Sequence, residues 1–281
     1  MPDSVVGGPA PHETVPVGVD PTRASIARVY DAFLNGKDNY EIDRQVMNGV
    51  LSVAPEARDL AFENRNFLIR ACRFLALETG IDQYLDCGSG LPTAENTHQV
   101  VQRFNPDATV VYVDNDPVVL AHGRALLEDD EHSHLISADI FDPRAVAEHE
   151  TVLSALDFSK PLALIQCGTL HHFNGPRSGP ARIMREYVDR LPSGSYVVLS
   201  HFLDPEDEHS AVARRMEDMF VHSPMGSGTF RTRAEVLELF DGLELVKPGL
   251  TLCADWWPDG PHIKPLNQAQ RCIAGAVACK P

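Results

Sequence analysis

The run Tyr84-Leu85-Asp86-Cys87-Gly88-Ser89-Gly90-Leu91-Pro92-Thr93 constrains this chain more than any other. A short apolar strand ends here on an acid and passes into two glycines separated by a serine. Glycine adopts backbone angles closed to other residues and lets a ligand approach the main chain, and ligands of open parallel sheets bind beyond the carboxyl ends of strands. Such a turn alone is common. Its context narrows it, because a second apolar run, 109–114, ends on Asp114-Asn115-Asp116. An acid about 20 residues past the glycines can accept both hydroxyls of a ribose.

From Gly80 onward the pattern alternates between short apolar runs and helical stretches. Strands are expected at 83–87, 109–114, 134–138, 162–167 and 195–201, which predicts a parallel sheet covered on both faces. Residues 243–256 and 271–279 read as two long β segments closing the sheet. The expected architecture is therefore α/β, a Rossmann-like, mostly parallel seven-stranded sheet with a terminal antiparallel strand, occupying residues 81–281. Ahead of it, residues 23–80 form a helical cap. Ile26, Val29, Tyr30 and Phe33 share one helical face that ends at Asn35-Gly36, and Phe62, Phe67, Leu68, Ala71, Phe74 and Leu75 share another. Residues 1–22, broken by Pro2, Pro9, Pro11, Pro16 and Pro21, read as a flexible arm. Further on, 209–220 is helical, 223–228 is a glycine-containing loop, and Thr232 with Glu235 has the spacing of a capping box.

A formal charge of −16 disfavours general binding to nucleic acid, since it repels phosphate backbones. Six cysteines without CxxC pairs read as reduced thiols of a cytoplasmic protein. No apolar run approaches the roughly 18 residues of a membrane span, and no signal-peptide pattern opens the chain. Small molecules are the expected partners, and Trp256-Trp257 suits either the core or a contact between two copies in a homodimer.

Two features argue against a dinucleotide at the first loop. Thr93 stands where the third glycine of a G-x-G-x-x-G motif would fall, and Asp86 would repel a pyrophosphate. An acid there suits an ammonium or sulfonium group. S-adenosyl-L-methionine carries both, together with a ribose, and is the expected cofactor.

Other residues could complete such a site. Asp139 ends the third apolar run and could accept from an exocyclic amine while Ile140 packs on a purine, or it could cap the next helix. Asn35 to Tyr40, with Lys37, Asp38 and Asn39 between them, are either a lid over the ligand or a solvated turn. Arg65 is either a fork for a carboxylate or half of a surface ion pair. His171 and His172 follow the fourth strand, near Cys167 at its end. Each is a candidate general base or a packing residue. Adjacent histidines do not make a metal site, and no metal is expected, His201 and His209 being weak additional candidates.

These residues resemble class I S-adenosylmethionine-dependent methyltransferases, and within them an actinobacterial group formerly described as a domain of unknown function. Asp86, Gly88, Gly90, Asp114 and Asp139-Ile140 carry the wider likeness. The narrower one rests on the cap run from Tyr30 to Tyr40, on Glu63-Asn64-Arg65 and on Leu170-His171-His172. The resemblance implies a methyltransferase acting on a small-molecule acceptor, with the cap folded over the cofactor and Asp139 at the adenine amino group. It implies a cofactor set of Tyr30, Asn35, Lys37, Asp38, Asn39, Tyr40, Arg65, Asp86, Gly88, Ser89, Gly90, Asp114, Asn115, Asp139, Ile140 and Cys167. Pro92 departs from the class. Two other readings stand beside it: a non-catalytic S-adenosylmethionine-binding regulator, and an NAD-type oxidoreductase, which the missing third glycine disfavours.

Overall fold

The computed structural model describes residues 19–93, 95–127 and 130–281. The arm expected over 1–22 lies, up to residue 18, outside the described residues.

Three helices come first: α1 (Ile26–Phe33), α2 (Glu41–Val53) and α3 (Ala57–Glu78). The Ser25 hydroxyl caps α1 by accepting from the Arg28 N–H, satisfying an amide that the first turn leaves without a partner. Asp43, fully buried in α2, ties α2 and the residue that caps it to α1. Its carboxylate accepts from the Ser25 and Tyr40 N–H groups and pairs with Arg28 Nε at 2.8 Å. The sequence pattern does not announce α2. Its buried apolar face, Val46, Met47 and Val50, is narrow, and polar residues surround it.

The alternation after Gly80 then appears as β1 (Gln83–Cys87), α4 (Thr97–Val101), β2 (Thr109–Asp114), α5 (Pro117–Leu126), β3 (Ser133–Ser137), α6 (Pro143–Ala147), α7 (Glu150–Ala155) and β4 (Ala163–Cys167). It continues with α8 (Gly179–Arg190), β5 (Tyr196–Phe202), α9 (Ser210–Val221) and α10 (Arg233–Leu237), and closes with β6 (Glu244–Leu245), β7 (Thr251–Leu252) and β8 (Ile273–Cys279). The Thr232–Glu235 capping box opens α10.

Among the described residues the strands form one eight-stranded sheet in the order β3-β2-β1-β4-β5-β8-β6, with β7 also on β8. The pairs among β1 to β5 are parallel, and β8 runs antiparallel to its three neighbours. Side chains alternate between faces along a strand. Thus Tyr84, Val110, Tyr112, Ile165 and Val198 pack under α1, α2, α3 and α9, while Leu85, Val111, Val113, Leu164 and Leu199 pack against α6, α7, α8 and α10. Both faces are covered, which is why these strands read as continuous apolar runs.

The segment 243–256 is not a long strand. Pairing with β8 is confined to Glu244–Leu245, extended by the Val246 N–H donating to the Val277 carbonyl, and to Thr251–Leu252, because Pro248 has no N–H to donate and Gly249 turns the backbone at φ +85°. Trp256 is fully buried in the core, edge-on to Phe67 and Phe74 at 5.5 and 5.7 Å, and its carbonyl accepts from Arg70. All six cysteines are free. No helix among the described residues is long and apolar enough to cross a membrane.

Candidate functional site

Strand order reverses between β1 and β4, because one crossover leads toward β3 and the other toward β5. Such a switch point opens a crevice at the carboxyl ends of the strands. A cavity of about 580 Å³ lies there, roofed by α1 and α3, well within the range of small-molecule sites. A second concavity, bordered by Asp82, Asp107, Leu153 and Lys160, sits at the opposite ends of β1 and β2 and lacks such a roof.

The glycine loop forms one wall. Gly88 has φ +77°, and a Cβ on it would meet Thr169 Cγ2 at 2.4 Å and Ile140 Cδ1 at 3.3 Å. Thr169 is itself held, its hydroxyl donating to Gln166 Oε1 at 2.7 Å. Gly90 also has a positive φ, +66°, but open space where its Cβ would stand. The main chain is therefore bare to the cavity at that point. Helix α4 does not open directly after the glycines; Pro92 falls in the intervening loop, where its lost N–H costs nothing helical.

Carboxylates converge on this wall. Asp86, buried at the end of β1, accepts from Thr97 Oγ1 at 2.7 Å. Burial pushes its pKa up to about 6, against the opposing pull of that hydrogen bond and of Arg65. Asp114 accepts from the Gly90 N–H through Oδ2 and from the Asp116 N–H through Oδ1, both at 2.9 Å. Burial raises its pKa too, although these backbone donors oppose the shift. Asp139 and Ile140 line the adjoining end, as does Asn115, the residue after β2. Asp139 Oδ1 accepts from the Phe141 N–H; the helix cap is Asp142, which accepts from Ala145. Arg65, on α3, lines the roof and donates to the Glu95 carbonyl at 2.8 Å. Among the described lining residues it is the one cationic side chain. A wall so rich in carboxylates suits a positively charged ligand, whose arrival relieves their burial cost.

The opposite wall comes from β4, β5 and β8. Cys167, His171, His172, Phe202 and Ile273 line it, with Phe220 and Met216 of α9. Burial holds both histidines neutral at pH 7: His172 is pushed down to about 4, and His171 well below the usual range. His171 stacks on Phe202 at 3.5 Å, and its Nδ1 accepts from the Phe202 N–H. Its neutral form therefore carries the proton on Nε2. His172 differs, because its Nδ1 faces the Ser227 hydroxyl at 3.0 Å, and that hydroxyl can either donate or accept. Behind them His201, pushed down to about 3, meets Arg231 Nη1 at 2.9 Å through Nε2. Among the described residues no group of three His, Cys, Asp or Glu side chains could hold a metal ion.

Tyr30 reaches the cavity from α1; its hydroxyl donates to the Ala61 carbonyl and accepts from Asn64 Nδ2. The loop that follows does not reach it. Asn35, Lys37, Asp38, Asn39 and Tyr40 are not among the lining residues, and their groups serve the turn between α1 and α2. Asp31 Oδ2 accepts from the Asp38 N–H at 3.0 Å and from Asn39 Nδ2 at 2.7 Å. Asn35 Oδ1 accepts from Arg58 at 2.6 Å, the Tyr40 ring lies 5.1 Å from the Arg28 guanidinium, and Lys37 is exposed. Sequence reasoning missed Thr97, Thr169, Phe202, Phe220 and Met216. Phe202 and Thr169 had a usable signal, since both sit at the carboxyl end of a strand.

The sequence from 12 to 281 matches the family described as S-adenosyl methyltransferase. Among solved structures, a protein of Thermobifida fusca YX proposed to be a methyltransferase is similar at 40% identity, with 92% of this chain and 96% of that one covered and a TM-score of 0.87. A DUF574 family protein from Streptomyces avermitilis MA-4680 is similar at 33% identity over 92% and 98% of the two chains, with a TM-score of 0.85. No curated protein matches this chain.

Proposed function

Because the chain belongs to the S-adenosyl methyltransferase family and its activity is S-adenosylmethionine-dependent methyl transfer, we propose that the cavity at the carboxyl ends of β1 to β5 is where that transfer occurs. The observation that carries this is the meeting of Asp86, bare Gly90 and Asp114 on one wall.

In this reading Asp114 accepts from the ribose hydroxyls, and Asp86 faces the ammonium end. Gly88, Ser89 and Gly90 bring main chain against the ligand, with Asn115 beside them. Asp139 accepts from the adenine amine, and Ile140 packs on its face. Arg65 offers its guanidinium to the carboxylate, and Tyr30 and Cys167 close the space around the donor. When bound, S-adenosylmethionine supplies a methyl group already activated on a positive sulfur, so the protein has mainly to position the reactants and exclude water. His171 cannot accept a proton, because its one basic nitrogen is spent on the Phe202 N–H. His172 can, through Nε2, when the Ser227 hydroxyl accepts from Nδ1.

The wider reading is of a cytoplasmic enzyme with a small-molecule acceptor and no general affinity for nucleic acid, in keeping with its charge of −16. Its organisation is an arm over 1–22, a cap over 23–80 and a catalytic domain over 81–281. Thermal unfolding with added ligands tests the cofactor site. S-adenosylmethionine and S-adenosylhomocysteine should each raise the midpoint, and NAD should not. A shift with NAD alone overturns the reading.

A further inference from the structure

The sheet order divides the cavity into two chemically different halves. Every charged lining residue, Arg65, Asp86, Asp114, Asp116 and Asp139, belongs to the half above β1, β2 and β3 or to the α3 roof beside it. The half above β4, β5 and β8 is lined by Phe202, Phe220, Met216, Met225, Ile273 and the two histidines. With the nucleoside assigned to the first half, the second is where an acceptor would meet the methyl group, and among the described residues no ionised side chain lines it.

Its wall has a shape as well as a polarity. The Phe202 ring stacks on His171 at 3.5 Å and 10°, on Phe230 at 4.6 Å and 20°, and on Phe220 at 5.6 Å and 18°. These stacked neighbours fix Phe202 in place, and with Phe220 it gives this half an aromatic lining, which favours contact with an aromatic acceptor over a saturated chain. Met216 and Met225 add polarizable, adaptable surface. Nearby charges are already engaged. Glu217 accepts from the Phe230 N–H, Arg177 pairs with Glu235, and Arg231 is spent on His201 and the Arg177 carbonyl. A charged acceptor would enter this half without a counter-ion and lose hydration that nothing there replaces.

We infer that the acceptor is a neutral, planar aromatic molecule whose methylated atom is a hydroxyl oxygen, bound between the Phe202–Phe220 wall and the cofactor. This rests on the cofactor assignment above. The acceptor oxygen forms its bond to the methyl carbon with a lone pair, the S–CH3 pair returns to sulfur, and the hydroxyl proton passes to His172 Nε2. Charge balances, since sulfonium becomes thioether and neutral imidazole becomes imidazolium, which then releases its proton to solvent.

Binding of 2-naphthol to the full chain tests this, measured with and without saturating S-adenosylhomocysteine and compared with 2-naphthoate and decahydro-2-naphthol. The expected result is 2-naphthol binding at least about tenfold tighter than either comparison, the factor that one well-made aromatic contact supplies. Phe202→Leu and, independently, Met225→Ala should weaken 2-naphthol and leave S-adenosylhomocysteine affinity unchanged; because Met225 lies in a loop, the second variant keeps the test open if the first fails to fold. Equal or tighter binding of the carboxylate or of the saturated alcohol overturns the proposal, as does no binding of 2-naphthol. Failure of S-adenosylhomocysteine to bind strikes the cofactor assignment instead, and the titrations without it still decide the acceptor class.

Discussion

The backbone N–H of Gly90 donates to Asp114 Oδ2 at 2.9 Å, so the loop after β1 is fastened to the end of β2 by the same carboxylate that faces the cavity. Asp114 thus has two duties, to shape the glycine loop and to offer its remaining lone pairs to a ligand.

Replacing it should therefore cost more than one contact. Asp114→Ala is expected to weaken S-adenosylmethionine binding by about 100-fold or more, because hydrogen bonds to charged groups contribute roughly 1.5–3 kcal/mol each. Asp114→Asn, which keeps one acceptor, should fall between that variant and the parent. Calorimetric titration reads both, and unchanged affinity in the alanine variant moves the ribose elsewhere.

Asp86 sets a pH dependence. Its folded pKa of about 6 lies above the unfolded value of 3.8, so its contribution to apo-protein stability is most favourable below 3.8 and is lost as pH rises through 6. At neutral pH the cost is on the order of 3 kcal/mol, since each tenfold change in proton affinity between the folded and unfolded states is worth about 1.4 kcal/mol. A cationic ligand favours the ionised form. Affinity for S-adenosylmethionine should then fall as pH drops below about 6, and binding near pH 5.5 should release a proton. Asp86→Asn should raise the apo melting temperature, weaken binding and flatten the pH profile. A variant that binds as tightly as the parent removes Asp86 from the site.

The buried histidines act with the opposite sign. His172 at about 4 and His201 at about 3 lie below the unfolded value of 6.5, so the stability they permit is fully present above 6.5 and drains away as pH falls from there toward those values. Each should cost about 1.4 kcal/mol per pH unit in that window. Urea unfolding at pH 7, 6 and 5 measures the loss, and His172→Gln should reduce its slope. An unchanged slope would mean that His172 is protonated in the folded protein.

Gly88→Ala tests the loop against its neighbour. The added methyl group would stand 2.4 Å from Thr169 Cγ2 in a left-handed conformation, a strain of about 1–3 kcal/mol. Both stability and cofactor affinity should fall. Adding Thr169→Ser removes the Cγ2 atom and should restore part of each, whereas strict additivity in the double-mutant cycle would show that the two residues do not meet.

The parts of this molecule that could be read from sequence are those where a backbone requirement and a charge coincide. β1 and β2 begin and end where their apolar runs do, and β3, β4 and β5 are displaced by a residue at most. Asp86, Gly88, Gly90 and Asp114 stood out because two successive apolar runs each end on an acid, the first running on into paired glycines. The run from Asn35 to Tyr40 shows the converse. Asn, Asp and Gly are turn residues whose polar groups could equally hold a ligand, and here the Asp31 carboxylate takes the Asp38 N–H and the Asn39 amide donor for the turn. Phe220 and Met216 could not be told from core, because an apolar residue lining a cavity has the same sequence signature as one buried against a helix; Phe202 differed only in its place at the carboxyl end of β5. The 243–256 segment misled for a local reason: one proline and one glycine at 248 and 249 outweigh the β-prone residues on either side.

Strand β8 supplies the antiparallel neighbour of β5 and places Ile273 in the cavity wall, yet it is made only after α9 and α10 have followed β5. During synthesis β5 must therefore wait with an open edge while α9, α10 and the loops behind them emerge. That edge is the place where a nascent chain could pair with a stranger. The pocket that handles the methyl group can be finished only when β8 arrives. Assembly and competence to react are thus set by one late event, and a chain stalled before β8 would be both sticky and inert.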